Sequence, residues 1–322
     1  LDPQNIASHN NLAVIYRTKK NYDLSIKYYQ KAIGINPNSA EIYYNLGILY
    51  KEINEFEKSE ESYLKGHEID KNNTKILNNL GHLYFDLLDF EKSINYYQKA
   101  ILSNPNDFNS NSNYLVTLSY LYNNEEYLSN AINYSNNIPK LKINEIYNLN
   151  TSNEQIIKIG LVSGDFRNHP VGYFLLDFIK YLKQKNVKIF GYYNNNINDN
   201  LTSLLKDNFN VFKNIYNTND NELINIIQKD EIEILFDLSG YSSNSRLPIF
   251  KNRCTPIQAS WGGWAASTGL KEIDYIIGDP YATPNSDQKN YTEKIYQLNN
   301  IWECLSTSNI DTSGFIGYCK GI

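Results

Sequence analysis

Residues 12 to 105 repeat with a period of 34, and that periodicity restricts the first third of the chain to very few architectures. Leu12-Ala13, Leu46-Gly47 and Leu80-Gly81 stand one period apart, and Tyr16, Tyr50 and Tyr84 follow at a fixed offset. The tail of each unit repeats as well: Ser25, Ser59 and Ser93, then Tyr29, Tyr63 and Tyr97, then Ala32, Gly66 and Ala100, then Pro37 and Pro105 with Lys71 in the middle unit. Small residues at fixed places let two helices approach, aromatic rings fill the space between them, and proline stops the second helix.

This pattern resembles the tetratricopeptide repeat. Such units stack into an α-solenoid whose concave face commonly holds an extended peptide, so the resemblance implies a protein or peptide partner in the repeat groove. Most of the tyrosine stripe reads as interhelix core, while Tyr28, Tyr43 and Tyr96 are less regular and leave surface and groove both open. His9, His67 and His82 lie within the array at unrelated offsets and without paired acidic neighbours, and read as structural or solvent-facing. Past Pro105 the pattern fades. Residues 107–122 form one more amphipathic helix, 125–134 another, and the polar stretch 136–153 is the expected linker. Three segments follow: repeats at 1–106, a helical connector and linker at 107–153, and a distinct domain at 154–322.

The net charge of −5 offers no basic face to a phosphate backbone, which argues against nucleic acid as a partner. No apolar run approaches the length of a membrane span and no signal peptide opens the sequence, so the expectation is a soluble cytoplasmic protein without a membrane partner. Cys254, Cys304 and Cys319 are odd in number and lack C-x-x-C spacing, which suits reduced side chains rather than a disulfide framework or a zinc site. Methionine is absent and the chain begins Leu-Asp-Pro, so a fragment of a longer protein is expected. Asn-rich patches such as 194–200 read as compositional bias on solvated loops.

At 156–173, reading IIKIGLVSGDFRNHPVGY, the helical period ends. A β-branched run passes into a polar turn and then an apolar helix, the opening of an α/β unit. Pro170 suits the first helical position and biases His169 toward extended geometry, so His169 falls at or near the N-cap. The positive helix end favours a neutral imidazole able to accept a proton; simple capping by 165–169 is the competing reading. Beyond it, strands are expected at 158–163, 187–193, 211–215, 232–238, 257–261 and 274–277, with helices at 171–183, 200–207, 219–230 and 246–251. That alternation predicts a parallel sheet covered on both faces, with function in the loops 164–169, 239–246 and 262–269.

No G-x-G-x-x-G, Walker A or G-x-S-x-G sequence occurs, which weakens dinucleotide, ATP and serine-hydrolase readings. His169 is the sole histidine of this half, so a histidine-based metal centre is not expected. The pieces IKIGLVSGDFRNHPVGYF, EILFDLSGYSSNSRLPIFKNRCTPIQASWGGW and STGLKEIDYIIGDPYATP are similar to the N-terminal catalytic lobe of the O-linked N-acetylglucosamine transferase family, glycosyltransferase family 41. The repeat array upstream is that family's own arrangement. The resemblance implies the Rossmann-like lobe of a GT-B glycosyltransferase and an inverting, metal-independent reaction. UDP-GlcNAc would be the donor, serine or threonine hydroxyls of proteins the acceptors, and no cofactor is expected.

His169 matches the histidine of the family's N-H-P motif, assigned there as a base or an active-site organiser. Asp165 would orient the imidazole or cap the helix. Gly240 and Tyr241, in DLSGY, end a strand at the expected face, Gly240 allowing close approach of backbone to ligand and Tyr241 lining the acceptor groove or packing. Arg246 would pair with a phosphate or carboxylate, or bridge on the surface. Thr268 and Gly269 match a Thr-Gly turn near the donor, and the chain departs just before it, with Trp264 and with Ala265 at the place of a usual proline. A GT-B enzyme takes most of its nucleotide contacts from a second lobe. Residues 1–322 alone are therefore expected to be inactive and to bind UDP weakly. The alternative is a non-catalytic tetratricopeptide scaffold with an incomplete transferase lobe.

Overall fold

The computed structural model describes residues 5–121, 124–141 and 156–299. It divides into two compact units, Leu1–Tyr122 and Asn123–Ile322. Cys304, Cys319 and most of the expected linker lie outside the described residues.

The first unit is an array of antiparallel helices: α1 (Ile6–Thr18), α2 (Tyr22–Ile35), α3 (Ala40–Glu52), α4 (Phe56–Ile69), α5 (Thr74–Asp86), α6 (Phe90–Ser103) and α7 (Phe108–Tyr120). Each of Asn5, Asn21, Asn73, Asp89 and Asp107 caps its helix by accepting the N–H three residues on, which satisfies a donor the first turn leaves free. Tyr29, Tyr63 and Tyr97 are buried. The small residues opposite them are needed for that: a Cβ on Gly47 would stand 2.5 Å from the Tyr63 ring, and one on Gly81 2.6 Å from that of Tyr97. Ser25 Oγ donates to Ala13 O at 2.7 Å and Ser59 Oγ to Gly47 O at 2.8 Å, so in the first two units the repeated serine ties the second helix to the first, whereas Ser93 Oγ of the third is buried without such a bond. Two details differ from the sequence reading. His82 has an acidic neighbour, Asp86, at 3.4 Å on the next turn of its own helix, and α7 packs against both α5 and α6, which extends the array beyond Pro105.

The second unit opens with α8 (Asn124–Asn137) and continues into a seven-stranded parallel sheet of order β3-β2-β1-β4-β5-β6-β7. Its strands are β1 (Ile157–Ser163), β2 (Val187–Tyr193), β3 (Val211–Asn214), β4 (Ile234–Asp237), β5 (Ile257–Ser260), β6 (Tyr275–Gly278) and β7 (Lys294–Gln297). The helices α9 (Pro170–Leu182), α10 (Asn200–Asn208), α11 (Asp220–Lys229) and α12 (Leu247–Phe250) alternate with the first five. Side chains along a strand alternate in direction, yet Ile159–Ser163 and Ile189–Tyr193 are buried without a break, so both sheet faces are covered. On one face Phe166, Leu176, Ile179, Leu205 and Phe209 form the core with Ile189 and Tyr193. The sequence did not disclose β7, whose four residues include a single buried aliphatic, Ile295. No helix among the described residues is long and apolar enough to cross a membrane.

The order turns at β1, which pairs with β2 on one side and β4 on the other. Successive connections leave this switch point in opposite directions, which makes the loops that follow β1 and β4 at the carboxyl edge of the sheet the place to look for a site.

Candidate active site

Ser163 Oγ and Ser239 Oγ lie 3.4 Å apart at the ends of β1 and β4, joining the two loops of the switch point. The loop after β1 turns tightly here: a Cβ on Gly164 would stand 2.5 Å from that of Asn244. Asn195 Nδ2 donates to Gly164 O at 2.9 Å, and Asn194 Nδ2 to Asn244 O at 2.8 Å. Asn194 and Asn195 are buried, contrary to their reading as solvated compositional bias, because their amides satisfy loop carbonyls that water does not reach.

His169 takes extended backbone at the N-cap of α9, with Pro170 at the first turn, and its Nδ1 accepts the Val171 N–H at 3.3 Å. Asp165 Oδ2 stands 3.9 Å from that same Nδ1. Arg167 holds the other oxygen of Asp165, Nη2 at 2.9 Å and Nε at 3.1 Å. Asp165 is buried, whereas the imidazole is 36% exposed and so reachable by a substrate. Asn168 N–H donates to Asp199 Oδ2 at 2.6 Å, and Asp199 caps α10 through a reciprocal bond pair with Thr202. Asn168, Tyr173, Asp199 and Leu201 border an open hollow of about 350 Å³ beside this loop.

The structure brings His169 and Asp165 together, and directs the other candidate residues inward. Tyr241 is buried and its hydroxyl donates to Thr268 O at 2.7 Å. Gly240 takes φ +53, and the group that approaches it closely is Trp264, whose Cβ lies 2.3 Å from where a Gly240 Cβ would be. Arg246 Nη2 bridges to Asp220 Oδ1 and Thr218 O, both at 2.8 Å, so this nitrogen is engaged by the protein itself, while Nε is buried with no hydrogen-bond partner among the described residues. Thr268 is buried with its N–H and hydroxyl both given to Glu293. Gly269, at φ +71, lies against the α8 backbone at Ala131.

Several of these partners were missed in the sequence. Tyr127 of α8 donates to Ser267 O at 2.8 Å and accepts from Trp264 Nε1 at 2.9 Å, and Glu293 gathers Ser267, Thr268 and Thr292. A polar residue at the end of a strand-sized run was the available signal for Glu293; nothing local marked Tyr127 or Arg167.

Asp237, at the end of β4, is fully buried. Burial pushes its carboxyl up to about 6, against the N–H groups of Gly240 and Ser239 that favour the charged form, with Glu293 adding to the rise. The folded state therefore binds this proton more tightly than the unfolded chain. The contribution of Asp237 to stability is complete below its unfolded value near 3.8 and is lost as pH rises through about 6. The loss is on the order of 3 kcal/mol. Asp237→Asn is expected to flatten the stability–pH curve between those limits, as measured by urea unfolding at fixed pH values; an unchanged slope would refute the assignment.

The family model for Glycosyl transferase family 41 matches residues 136–303, more than half of the chain, and tetratricopeptide repeat models match 4–72 and 74–107. A UDP-N-acetylglucosamine–peptide N-acetylglucosaminyltransferase of Caenorhabditis elegans is 30% identical over 146 residues, 44% of this chain and 13% of that protein. A probable enzyme of the same description from Oryza sativa, SPINDLY, is 27% identical over 222 residues, 66% of this chain and 24% of that protein. The chain thus spans less than a quarter of the length of these curated relatives. Among solved structures, a mutant of the Thermobaculum terrenum O-GlcNAc transferase superposes with a TM-score of 0.78 at 24% identity, over 92% of this chain and 58% of that one. The shared fold is helical repeats followed by the parallel-sheet lobe of a GT-B enzyme.

Proposed function

From the premise that this chain belongs to glycosyltransferase family 41, we propose that the protein transfers N-acetylglucosamine from UDP-GlcNAc to serine or threonine hydroxyls of proteins. The observation that carries the reading is the reachable His169 imidazole beside buried, Arg167-held Asp165, in the loop at the topological switch point. In the transfer, the acceptor oxygen forms its bond to the anomeric carbon as the bond to the UDP oxygen breaks. The hydroxyl proton goes to a base, and a single displacement of this kind inverts the anomeric centre. His169 is suited to be that base by position and chemistry. The step needs no metal ligand set, in keeping with a single histidine in the sheet unit.

The repeats recruit the acceptor. The first helices of successive units adjoin one another, α1 with α3, α3 with α5 and α5 with α7. Asn11, Asn45, Asn79 and Asn113 recur on them at the repeat period. Asn45, Asn79 and Asn113 each donate one amide hydrogen within the repeats, to Asn10 Oδ1, Lys75 O and Asn78 Oδ1, which leaves each a second amide hydrogen to offer the backbone of an extended peptide.

The test is transfer of radiolabelled sugar from UDP-GlcNAc to a serine- and threonine-containing peptide by the protein as produced from its own gene. Label is expected on hydroxyl oxygen in β-linkage, undiminished by EDTA. No label above a heat-treated control, with peptide binding retained, would replace the enzyme with the scaffold reading.

A further inference from the structure

One junction of the repeat array carries side chains that its neighbours lack. Where the flanking units have Ile33 and Ile101 the middle unit has His67, and where they have Pro37 and Pro105 it has Lys71. Where the first two units have Ile35 and Ile69 the third has Ser103. Three times an aliphatic or proline residue is exchanged for a polar or cationic one, and the fold collects all three. His67 at the end of α4, Lys71 in the turn to α5 and Ser103 at the end of α6 line one open pocket of about 540 Å³. Lys99 and Asn72 join them; buried Leu77 also borders the pocket, as does Leu102, which is 82% exposed.

Among the described residues no aspartate or glutamate lines this pocket, although the whole chain carries a net charge of −5. Lys99 sits 4.8 Å from the centre of the Tyr96 ring, and among the described residues neither it nor Lys71 has a carboxylate partner. His67 Nδ1 is buried with no hydrogen-bond partner there. Burial, and then the ammonium groups of Lys99 and Lys71, hold the imidazole below its ordinary value, with Asp70 and Glu68 opposing them; both lysines therefore act on His67. Lys99 and the Tyr96 ring lead on to a second hollow of about 440 Å³ past Leu64, Asn95 and Tyr84, where Glu91 stands beside Lys92, so the surface is long enough for several residues of an extended chain with its carboxylates kept to the first pocket.

We propose that this junction is a docking site for an acidic segment of a partner protein, with carboxylates seated among Lys71, Lys99 and His67 and an apolar side chain set on Leu102. Charge complementarity selects the partner: two ammonium groups with no carboxylate partner among the described residues, over a partly apolar floor, favour carboxylates next to an aliphatic residue. The site is separate from the transfer chemistry, so failure of either reading leaves the other standing.

The sequence itself supplies the test variant. His67→Ile, Lys71→Pro and Ser103→Ile restore residues that the equivalent positions already carry. Proline fits at 71, because Asp70 has φ −131 and ψ 91, close to the φ −137, ψ 97 of Asn36 and the φ −143, ψ 91 of Asn104, which precede Pro37 and Pro105. Binding of a fluorescein-labelled peptide with the core Glu-Glu-Leu-Glu is measured by anisotropy on the full chain, with its lysine-substituted counterpart and inorganic phosphate as controls. The expected result is saturable binding that weakens about tenfold or more in the triple variant and falls with added salt. Circular dichroism is expected to be unchanged. Equal binding by both proteins, no binding up to millimolar peptide, or full competition by equimolar inorganic phosphate would each overturn the proposal.

Discussion

His169→Ala is expected to lower kcat for sugar transfer by about 10²- to 10⁴-fold, the range typical of a lost general base, while leaving peptide binding by the repeats unchanged. The structure sharpens what this variant tests. With Nδ1 accepting the Val171 N–H, a neutral imidazole carries its proton on Nε2 and has no lone pair there for an acceptor hydroxyl. To act as a base through Nε2, the ring must carry its proton on Nδ1, and Asp165 Oδ2 at 3.9 Å is the group placed to receive it. To take the hydroxyl proton, the proposed base would therefore have to exchange its capping bond for a bond to Asp165. Loss of the cap alone costs about 1 kcal/mol of stability, too little to account for a thousandfold fall in rate. A His169→Ala protein that melts slightly earlier and transfers sugar at the parent rate would show that the histidine only caps α9. Nitrogen chemical shifts of the ring report the tautomer directly, apart from any assay of turnover.

Gly263→Ala is expected to produce the largest loss of stability in the sheet unit, about 4 kcal/mol or more, enough to prevent folding at 37 °C. A Cβ at this position would stand 1.8 Å from Leu238 O and 2.6 Å from its carbonyl carbon. Neither atom can rotate aside, since both belong to the backbone leaving β4. The variant must therefore push the loop after β5 off the loop after β4, and with it Trp264 off Gly240 and Tyr241. Denaturant unfolding followed by tryptophan fluorescence reads this. A midpoint within error of the parent would show that the two loops are not pressed together as described.

Periodicity made the helices and six of the seven strands readable, because a repeated small residue against a repeated tyrosine leaves few alternatives, and β-branched runs between helical stretches leave few others. His169 at the N-cap was readable for the same kind of reason: proline at 170 restricts the residue before it. What stayed hidden depends on contacts distant in sequence. Tyr241 and Thr268 look like ligand residues in a strand-end loop, and only the fold shows their polar groups committed to each other and to Glu293. Arg246 was legible as an ion-pair former, not as the partner of Asp220.

Helix α8 has a practical consequence for dissecting the protein. Its Tyr127 hydroxyl bridges Trp264 and Ser267, its Tyr134 ring meets Tyr241, and its backbone closes over Gly269. By sequence it resembles the tail of a solenoid, yet it behaves as a keystone for the wall that the loops after β4 and β5 form. An expression boundary drawn at the first strand would strip that keystone away and leave the Trp264 indole, the Tyr241 phenol and a glycine turn facing water. Cutting ahead of Asn124 keeps the wall whole.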